Sequence, residues 1–156
     1  MSEILVSLRV AATPERAFEV FVGEIGQWWR PNDLFRFSRN PPGTLAFEPG
    51  PRGRLIERFA DGEMFEIGRI TDWQPGERLA FTWRQQSFGP GQETRVEVRF
   101  ESVGAETRVT VTHTGWDSVP KAHVARHGFP DPIFLQRHGE WWQLLLDTMA
   151  KRTARR

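Results

Sequence analysis

The chain contains no cysteine, no tyrosine and no long uninterrupted run of apolar residues. The lack of cysteine excludes disulfide bonds, thiolate metal ligands and a cysteine nucleophile, and it is typical of a protein in a reducing cytoplasm. A membrane helix needs roughly 18 consecutive apolar residues, and no stretch approaches that length. The N-terminal segment has neither the basic nor the apolar part of a secretory signal. We therefore expect a soluble cytoplasmic protein without a membrane partner.

The chain also has almost equal numbers of basic and acidic residues. Lys and Arg total 21 against 20 Asp and Glu, which leaves a net charge of +1. Without a basic field to attract polyanions, nucleic acid is not expected as a partner. The chain also lacks a Gly-x-Ser-x-Gly elbow and both glycine-rich phosphate-binding motifs. We accordingly expect no cofactor, and no nucleotide or serine-hydrolase chemistry.

The chain does contain many aromatic rings, with 7 Trp and 12 Phe among 156 residues. With 38% apolar and 26% charged residues, the composition is that of a globular protein, and the length predicts a single domain over residues 1–156. Aromatic rings bring large apolar area with few rotatable bonds. The surplus indicates either a heavily aromatic core or a ligand pocket walled by rings, and composition alone does not separate the two.

Periodicity predicts a strand, two short helices, a meander of strands and a long final helix. Residues 3–11 alternate with the period of a strand, and Thr13-Pro14-Glu15 is a helix start followed by a second brief turn at 25–29. Residues 31–51 form a loop over apolar surface that ends in a strand near 44–48. Further strands are predicted at 54–59, 63–73 and 78–84, and in a ribbon around Gly104; helical spacing covers 133–153. This order is that of an α+β fold.

Five segments resemble the START-like (SRPBCC) helix-grip superfamily, in the branch similar to the C-terminal domain of the activator of Hsp90 ATPase. They are GRITDWQPGERLAFTW at 68–83, ETRVTVTHTG at 106–115, GEWW at 139–142, VAATPERAF at 10–18 and Trp28-Trp29. The resemblance implies a curved antiparallel sheet of about six or seven strands wrapped around a long C-terminal helix, with two short helices after strand one. It also implies a cavity for a hydrophobic ligand.

Three functions are compatible with this resemblance, because one fold hosts many activities. We favour non-catalytic binding of a small apolar or aromatic molecule between the sheet and the C-terminal helix. A cyclase-like enzyme that uses polar groups in the cavity is the first alternative. A chaperone- or stress-related interaction module is the second; here a homodimer or an Hsp90-type chaperone would be the partner, although none of the motifs matches the Hsp90-binding N-terminal domain of the eukaryotic activator.

The expected ligand-binding residues are mostly rings at helix or strand spacing, and about half should line a pocket while the others belong to the core. They are Trp28, Trp29, Phe35, Phe37, Phe81, Trp83, His113, Trp116, Phe134, His138, Trp141, Trp142 and Leu145.

Polar candidates are few. His113, on the apolar phase of its strand, and Glu66 are the catalytic candidates, although we favour a structural role for His113 as a hydrogen-bonded core histidine. Glu57 and Arg69 are predicted to approach across a hairpin, and the strand charges to lie on the wet face of the sheet. His123 and His127 have a zinc-like spacing without the accompanying Glu, so no metal site is expected.

Overall fold

The computed structural model describes residues 3–29, 37–38, 41–119 and 131–154. It contains strands β1 Ile4–Val10, β2 Thr44–Phe47, β3 Arg54–Arg58, β4 Met64–Gln74, β5 Arg78–Trp83, β6 Thr94–Val103 and β7 Glu106–Thr114. The helices are α1 Pro14–Gly23, α2 Ile25–Trp28 and α3 Asp131–Ala154, with a 3-10 turn at Trp116–Ser118. No helix in these ranges has the length and apolarity needed to cross a membrane.

The seven strands form one antiparallel sheet in the order β1-β7-β6-β5-β4-β3-β2. From β2 to β7, each strand pairs with the strand that follows it in the chain. Only β1 pairs with a strand that is distant in sequence, β7. Its register places Ile4 opposite His113 and Val10 opposite Thr107. The α+β helix-grip architecture predicted from the sequence is therefore confirmed.

Local sequence explains how α1 begins. Thr13 caps α1, since its side-chain oxygen accepts a hydrogen bond from the Arg16 backbone N–H at 3.1 Å, and Pro14 occupies the first turn, where its missing N–H costs nothing. The buried face of α1 includes Phe18 and Phe21. This face turns α1 toward the sheet.

α3 packs along β1, and its small residue Gly139 lies where an added Cβ would be 3.6 Å from the Ile4 side chain. At its C-terminal end, the Arg152 guanidinium donates to the Glu24 carboxylate between α1 and α2, at 2.5 Å. The helix begins at Asp131, two residues before the predicted start, because Pro132 is tolerated in a first helical turn.

Register in the β3–β4 hairpin corrects one prediction. Glu57 lies opposite Phe65, and Arg69 lies opposite Arg54, so Glu57 and Arg69 do not meet across the ladder. A bulge between Leu55 and Ile56 shifts the pairing by one residue. The turn at Asp61-Gly62 sets the register of the hairpin, and it places Glu57 opposite Phe65 and three residues along the ladder from Arg54, the partner of Arg69.

Candidate functional site

A continuous group of rings lies between the sheet and the first half of α3. We call it the tryptophan cluster, and every neighbouring pair of rings in it has centroids 4.8 to 6.4 Å apart. Its members come from α3, the strands, the 3-10 turn and two loops, and they are Trp29, Phe37, Trp83, Phe88, His113, Trp116, Phe134, His138, Trp141 and Trp142. All are buried.

Trp83, at the end of β5, is the centre of the cluster. Its ring contacts His113 at 4.9 Å, Phe37 at 5.1 Å and Trp116 at 5.5 Å, in each case edge to face. His138 of α3 contacts it at 5.6 Å and lies next to His113, 5.1 Å away. Edge-to-face pairs of this kind contribute about 0.5–1.5 kcal/mol each beyond their burial, so Trp83 ties the sheet to the helix.

Trp29 explains why both members of the Trp141–Trp142 pair are buried. Neighbouring helical residues point about 100° apart, and one of them commonly faces solvent. Here the Trp29 ring lies 5.4 Å from Trp141 and 5.5 Å from Trp142. It covers α3 at both positions, because the chain turns into an extended conformation immediately after α2.

A hydrogen-bonded chain runs through the cluster from α3 to β5. The Trp142 indole N–H donates to His113 Nδ1 at 3.1 Å, which places the imidazole proton on Nε2. That Nε2–H donates to Thr94 Oγ1 at 2.8 Å, and the Thr94 hydroxyl donates to the Trp83 carbonyl oxygen at 2.8 Å. Each imidazole nitrogen of His113 is thus engaged, as in the structural role favoured from the sequence.

The two histidines of the cluster are held neutral. Burial lowers the pKa of His113 to about 3. Burial lowers the pKa of His138 well below its ordinary value, and the neighbouring His113 lowers it further. Their rings are 5.1 Å apart, and two charges at that separation in a dry interior would repel strongly. A neutral His113 with both nitrogens occupied is poorly suited to proton transfer.

Two buried donors beside this chain are unused. The Trp83 Nε1–H and the Gln85 side-chain Nε2 have no hydrogen-bond acceptor. Trp83 is fully buried and Gln85 is 5% exposed. Because the Arg84 backbone N–H bonds to Ile67 and continues the ladder, Gln85 projects to the same side as Trp83. A buried donor without an acceptor costs roughly 1–3 kcal/mol, so this pair calls for an explanation.

The two glutamates considered from the sequence lie on opposite faces of the sheet. Glu66 pairs in register with Ile56, is one-third exposed, and makes ion pairs with Arg69 at 3.3 Å and Arg54 at 3.8 Å. Glu57 lies on the inner face and is 1% exposed, which corrects its expected place on the wet face. Its carboxylate accepts from the Ser38 hydroxyl at 2.7 Å and the Gly43 N–H at 2.9 Å, and no Lys or Arg among the described residues forms an ion pair with it.

A second group of rings lies beneath α1, and it contains Phe81, one of the residues expected at the site. We call it the phenylalanine cluster: Phe18, Phe21, Phe47, Phe81 and Phe100, with Trp73 at its edge. Among the rings of the two clusters, Phe81 contacts Phe47 and no member of the tryptophan cluster. Trp28 lies between the two groups, 5.0 Å from Phe21 and 5.7 Å from Trp29, and its indole N–H bonds to the Val20 carbonyl.

A surface cleft of about 350 Å³ opens next to the phenylalanine cluster, between α1 and the β4–β5 turn. Phe18, Val22 and Trp73 form its apolar floor, and Glu15 and Glu19 stand at its rim. It lies at the other end of the sheet from the expected site.

The structure brings most of the predicted residues together. Leu145 is buried on α3, whereas Phe35, His123 and His127 lie outside the described residues. In the described ranges, no group of three or more His, Asp or Glu side chains could hold a metal ion. The sequence reasoning missed Gln85, Phe88 and Thr94. Thr94 and Gln85 continue the inward phase of their strands, which is the signal that could have identified them.

Comparison with known proteins places this geometry in a family. The model of the activator of Hsp90 ATPase homolog 1-like family matches residues 11–151. No protein of curated function has a significantly similar sequence.

Three solved structures are similar over nearly the whole chain. The anthrahydroquino-γ-pyrone synthase Txn09, solved with the ligand SUM, is 30% identical, with 95% of this chain and 97% of that chain covered and a TM-score of 0.57. The Aha1 dimer of Colwellia psychrerythraea is 15% identical, with 97% and 95% covered and a TM-score of 0.66. An Hsp90 activator of Plasmodium falciparum is 14% identical, with 91% and 88% covered and a TM-score of 0.61.

Proposed function

This chain belongs to the activator of Hsp90 ATPase homolog 1-like family, and on that premise we propose that its tryptophan cluster binds a small molecule built of fused aromatic rings. The observation that carries the proposal is the cluster itself, which gathers rings from four parts of the fold around Trp83. The 30% identical relative supports it, because that protein is a synthase of a polycyclic aromatic compound. Stacked and edge-to-face contacts suit such a ligand.

Entry of a ligand does not require the sheet to open. Phe37 and Phe88, which contact Trp83 from outside the regular elements, belong to connecting segments. Loop residues can change position at lower cost than residues of a hydrogen-bonded ladder. A planar molecule could take the place of either ring against Trp83 while β5, β6 and α3 stay in contact.

Binding without catalysis is the function that the geometry supports best. The most central titratable groups, His113 and His138, are held neutral by burial, and both nitrogens of His113 are occupied. The outer-face Glu66 is remote from the rings and paired with arginines. Neither of the two catalytic candidates is therefore well placed for proton transfer.

Native mass spectrometry of the freshly purified protein tests the proposal. We expect a retained small molecule, or saturable quenching of tryptophan fluorescence by the planar probe anthracene. Gly23→Phe is a matched control: an added Cβ at Gly23 meets nothing within 4 Å, and the new ring fills the α1 cleft without touching the tryptophan cluster. Retention of no molecule together with no quenching would refute the proposal, and loss of binding in Gly23→Phe would move the site to the cleft.

A cyclase-like reaction is a second candidate, and Glu57 favours it. Its carboxylate is buried on the inner face without an ion pair to any described Lys or Arg, and it accepts a hydrogen bond from Ser38, the neighbour of Phe37 in the tryptophan cluster. Such a base can remove the proton of a ligand hydroxyl as its oxygen adds to a conjugated carbon–carbon double bond, and return that proton to the adjacent carbon. The reaction needs no cofactor.

Closure of 2′-hydroxychalcone to flavanone tests this chemistry. We expect the protein to accelerate closure, Glu57→Gln to abolish the acceleration, and the outer-face control Glu66→Gln to retain it. An unaccelerated reaction, or an equal rate with Glu57→Gln, excludes Glu57 as the base.

A homodimer and an Hsp90-type chaperone partner remain predictions of the sequence. The Aha1 dimer of Colwellia psychrerythraea and the Hsp90 activator of Plasmodium falciparum are 15% and 14% identical to this chain, a likeness that concerns the fold. Size-exclusion chromatography with light scattering, with and without an added Hsp90, would test both.

A further inference from the structure

The unused donors of Trp83 and Gln85 indicate what kind of ring compound fits the cluster. We propose that the ligand carries a carbonyl-type oxygen that accepts hydrogen bonds from Trp83 Nε1–H and the Gln85 side-chain amide. The inference rests on the proposed function and deepens it, since it distinguishes an oxygenated ring system, such as a quinone, from a hydrocarbon of the same shape.

Trp142, His113 and Thr94 direct their polar hydrogens to identified acceptors at 2.8 to 3.1 Å. In the same part of the fold, Trp83 Nε1 and Gln85 Nε2 are buried donors without an acceptor. Buried polar groups are almost always satisfied in native proteins, by water or a ligand when not by the chain itself.

Trp83 and Gln85 are two residues apart, and the N–H of Arg84 between them bonds to the Ile67 carbonyl, so the pairing with β4 continues one residue past the end of β5. Residues two apart on extended backbone face the same side. The indole N–H and the amide N–H are both neutral hydrogen-bond donors. A partner that they share must therefore be an acceptor, either neutral or anionic. A carbonyl oxygen has two lone pairs and can accept from both at once.

Local structure gives the ligand oxygen a route to the donors. The Gln86 backbone N–H bonds to the Phe37 carbonyl at 2.6 Å, so the segment after β5 is attached to the Phe37 loop. The Phe88 N–H bonds to the Gln85 carbonyl in the same turn. The Trp83 ring therefore contacts both loop rings, Phe37 and Phe88, that a planar ligand would displace, and Gln85 belongs to the segment that bonds to them.

A matched pair of probes tests the inference. Anthracene and 9,10-anthraquinone have the same three-ring outline and differ in two carbonyl oxygens. Because each hydrogen bond contributes roughly 0.5–1.5 kcal/mol, two of them predict that anthraquinone binds about tenfold or more tightly than anthracene. Gln85→Met should lower the anthraquinone affinity about threefold to tenfold and leave that of anthracene unchanged. The neighbouring exposed residue supplies the control, Gln86→Met, which should alter neither.

Nuclear magnetic resonance of the wild-type protein gives a second readout that does not depend on a variant folding. Binding of anthraquinone should move the Trp83 indole proton downfield, as for a proton donated to oxygen, and anthracene should not. Equal affinities with an unmoved Trp83 resonance overturn this inference and leave ring binding intact. If neither probe saturates the protein, ring binding itself fails, and the two failures are thereby distinguished.

Discussion

The tryptophan cluster and the phenylalanine cluster lie under the same sheet, yet they are held together in different ways. The phenylalanine cluster is almost pure hydrocarbon, and its rings depend on burial and shape alone. The tryptophan cluster contains indole and imidazole nitrogens, a threonine hydroxyl and a glutamine amide in an equally dry interior. Polar groups in such a place cost free energy unless each has a partner.

This difference separates stability from function. A core needs no polar atoms, so the phenylalanine cluster is what a stable helix-grip fold requires. The tryptophan cluster maintains a costly hydrogen-bonded chain and leaves two donors without acceptors. Sites that retain such costs are commonly those that bind or react, since selection for function tolerates lost stability.

Truncation in the phenylalanine cluster should produce the largest loss of stability. Phe21→Ala removes a fully buried ring that contacts Phe47, Phe100 and Trp28, and we expect the free energy of unfolding to fall by about 3–5 kcal/mol. Urea denaturation measures this. Where circular dichroism shows that the variant is folded, its affinity for anthraquinone should be unchanged. A large loss of that affinity would mean that the two clusters are not independent.

Acidification should destabilise the protein through the tryptophan cluster. The pKa of His113 is about 3 in the folded state against an ordinary 6.5, so the unfolded state binds a proton between these values and the native state does not. Stability is therefore highest above pH 6.5 and falls as the pH drops toward 3, and His113 alone removes about 2 to 3 kcal/mol between pH 7 and pH 4.5. Chemical denaturation across that range measures the slope.

His113→Gln provides the control for the pH prediction. Gln can accept from Trp142 and donate to Thr94 but does not titrate, so the slope should decrease even if overall stability changes. A wild-type profile that is flat from pH 7 to pH 4.5 would contradict the assignment of neutral buried histidines.

Removal of the Thr94 hydroxyl should lower the free energy of unfolding by a moderate amount. Thr94→Val keeps the shape but leaves His113 Nε2–H and the Trp83 carbonyl without this partner, and we expect a loss of about 2 kcal/mol. Thr107→Val is matched to it, because the equally buried Thr107 donates a single hydrogen bond, to the Ala12 carbonyl, and should cost about 1 kcal/mol. Equal losses would argue against a connected chain through the cluster.

The smallest expected change is the one that best separates binding from stability. Gln85→Met removes a buried donor without an acceptor, so the stability of the ligand-free protein should stay within about 0.5 kcal/mol of wild type or increase. Thermal unfolding in the absence of ligand measures this. A loss above about 2 kcal/mol would show that Gln85 serves the fold and not a ligand.

The fold was largely predictable because its signals are local. Alternation located the strands, Thr13-Pro14 located the start of α1, and the change to helical spacing located α3 to within two residues. The β3–β4 bulge was not predictable, since one extra residue shifts register without disturbing the apolar pattern. It brings Arg69 opposite Arg54, whereas Glu57 is kept from Arg69 by the register of the Asp61-Gly62 turn and not by the bulge.

The candidate site was predictable in its rings and not in its polar groups. Large aromatic residues can be recognised as candidates from their size alone. The role of Thr94 depends on its hydrogen bond to His113, which is 19 positions away in the chain. Charged residues usually lie on the wet face of a sheet, and this general tendency predicts the wrong face for Glu57. Glu57 is two residues from Leu55 on the same strand, and both side chains are buried on the inner face. The two unused donors could not be predicted, because the lack of an acceptor depends on the three-dimensional surroundings of Trp83 and Gln85 and not on their neighbours in sequence.

The pairing of β1 with β7 has a consequence for how the protein is made. Ser7 and Thr110 share a side-chain hydrogen bond across this pair, 103 positions apart in the chain, and α3 follows later still to pack on β1. While the ribosome is still synthesising the meander, β1 has no partner strand and its apolar residues have no cover. Folds dominated by such distant contacts close slowly, on the scale of milliseconds to seconds. Four members of the tryptophan cluster belong to α3, so the cluster cannot be completed until that helix has been synthesised.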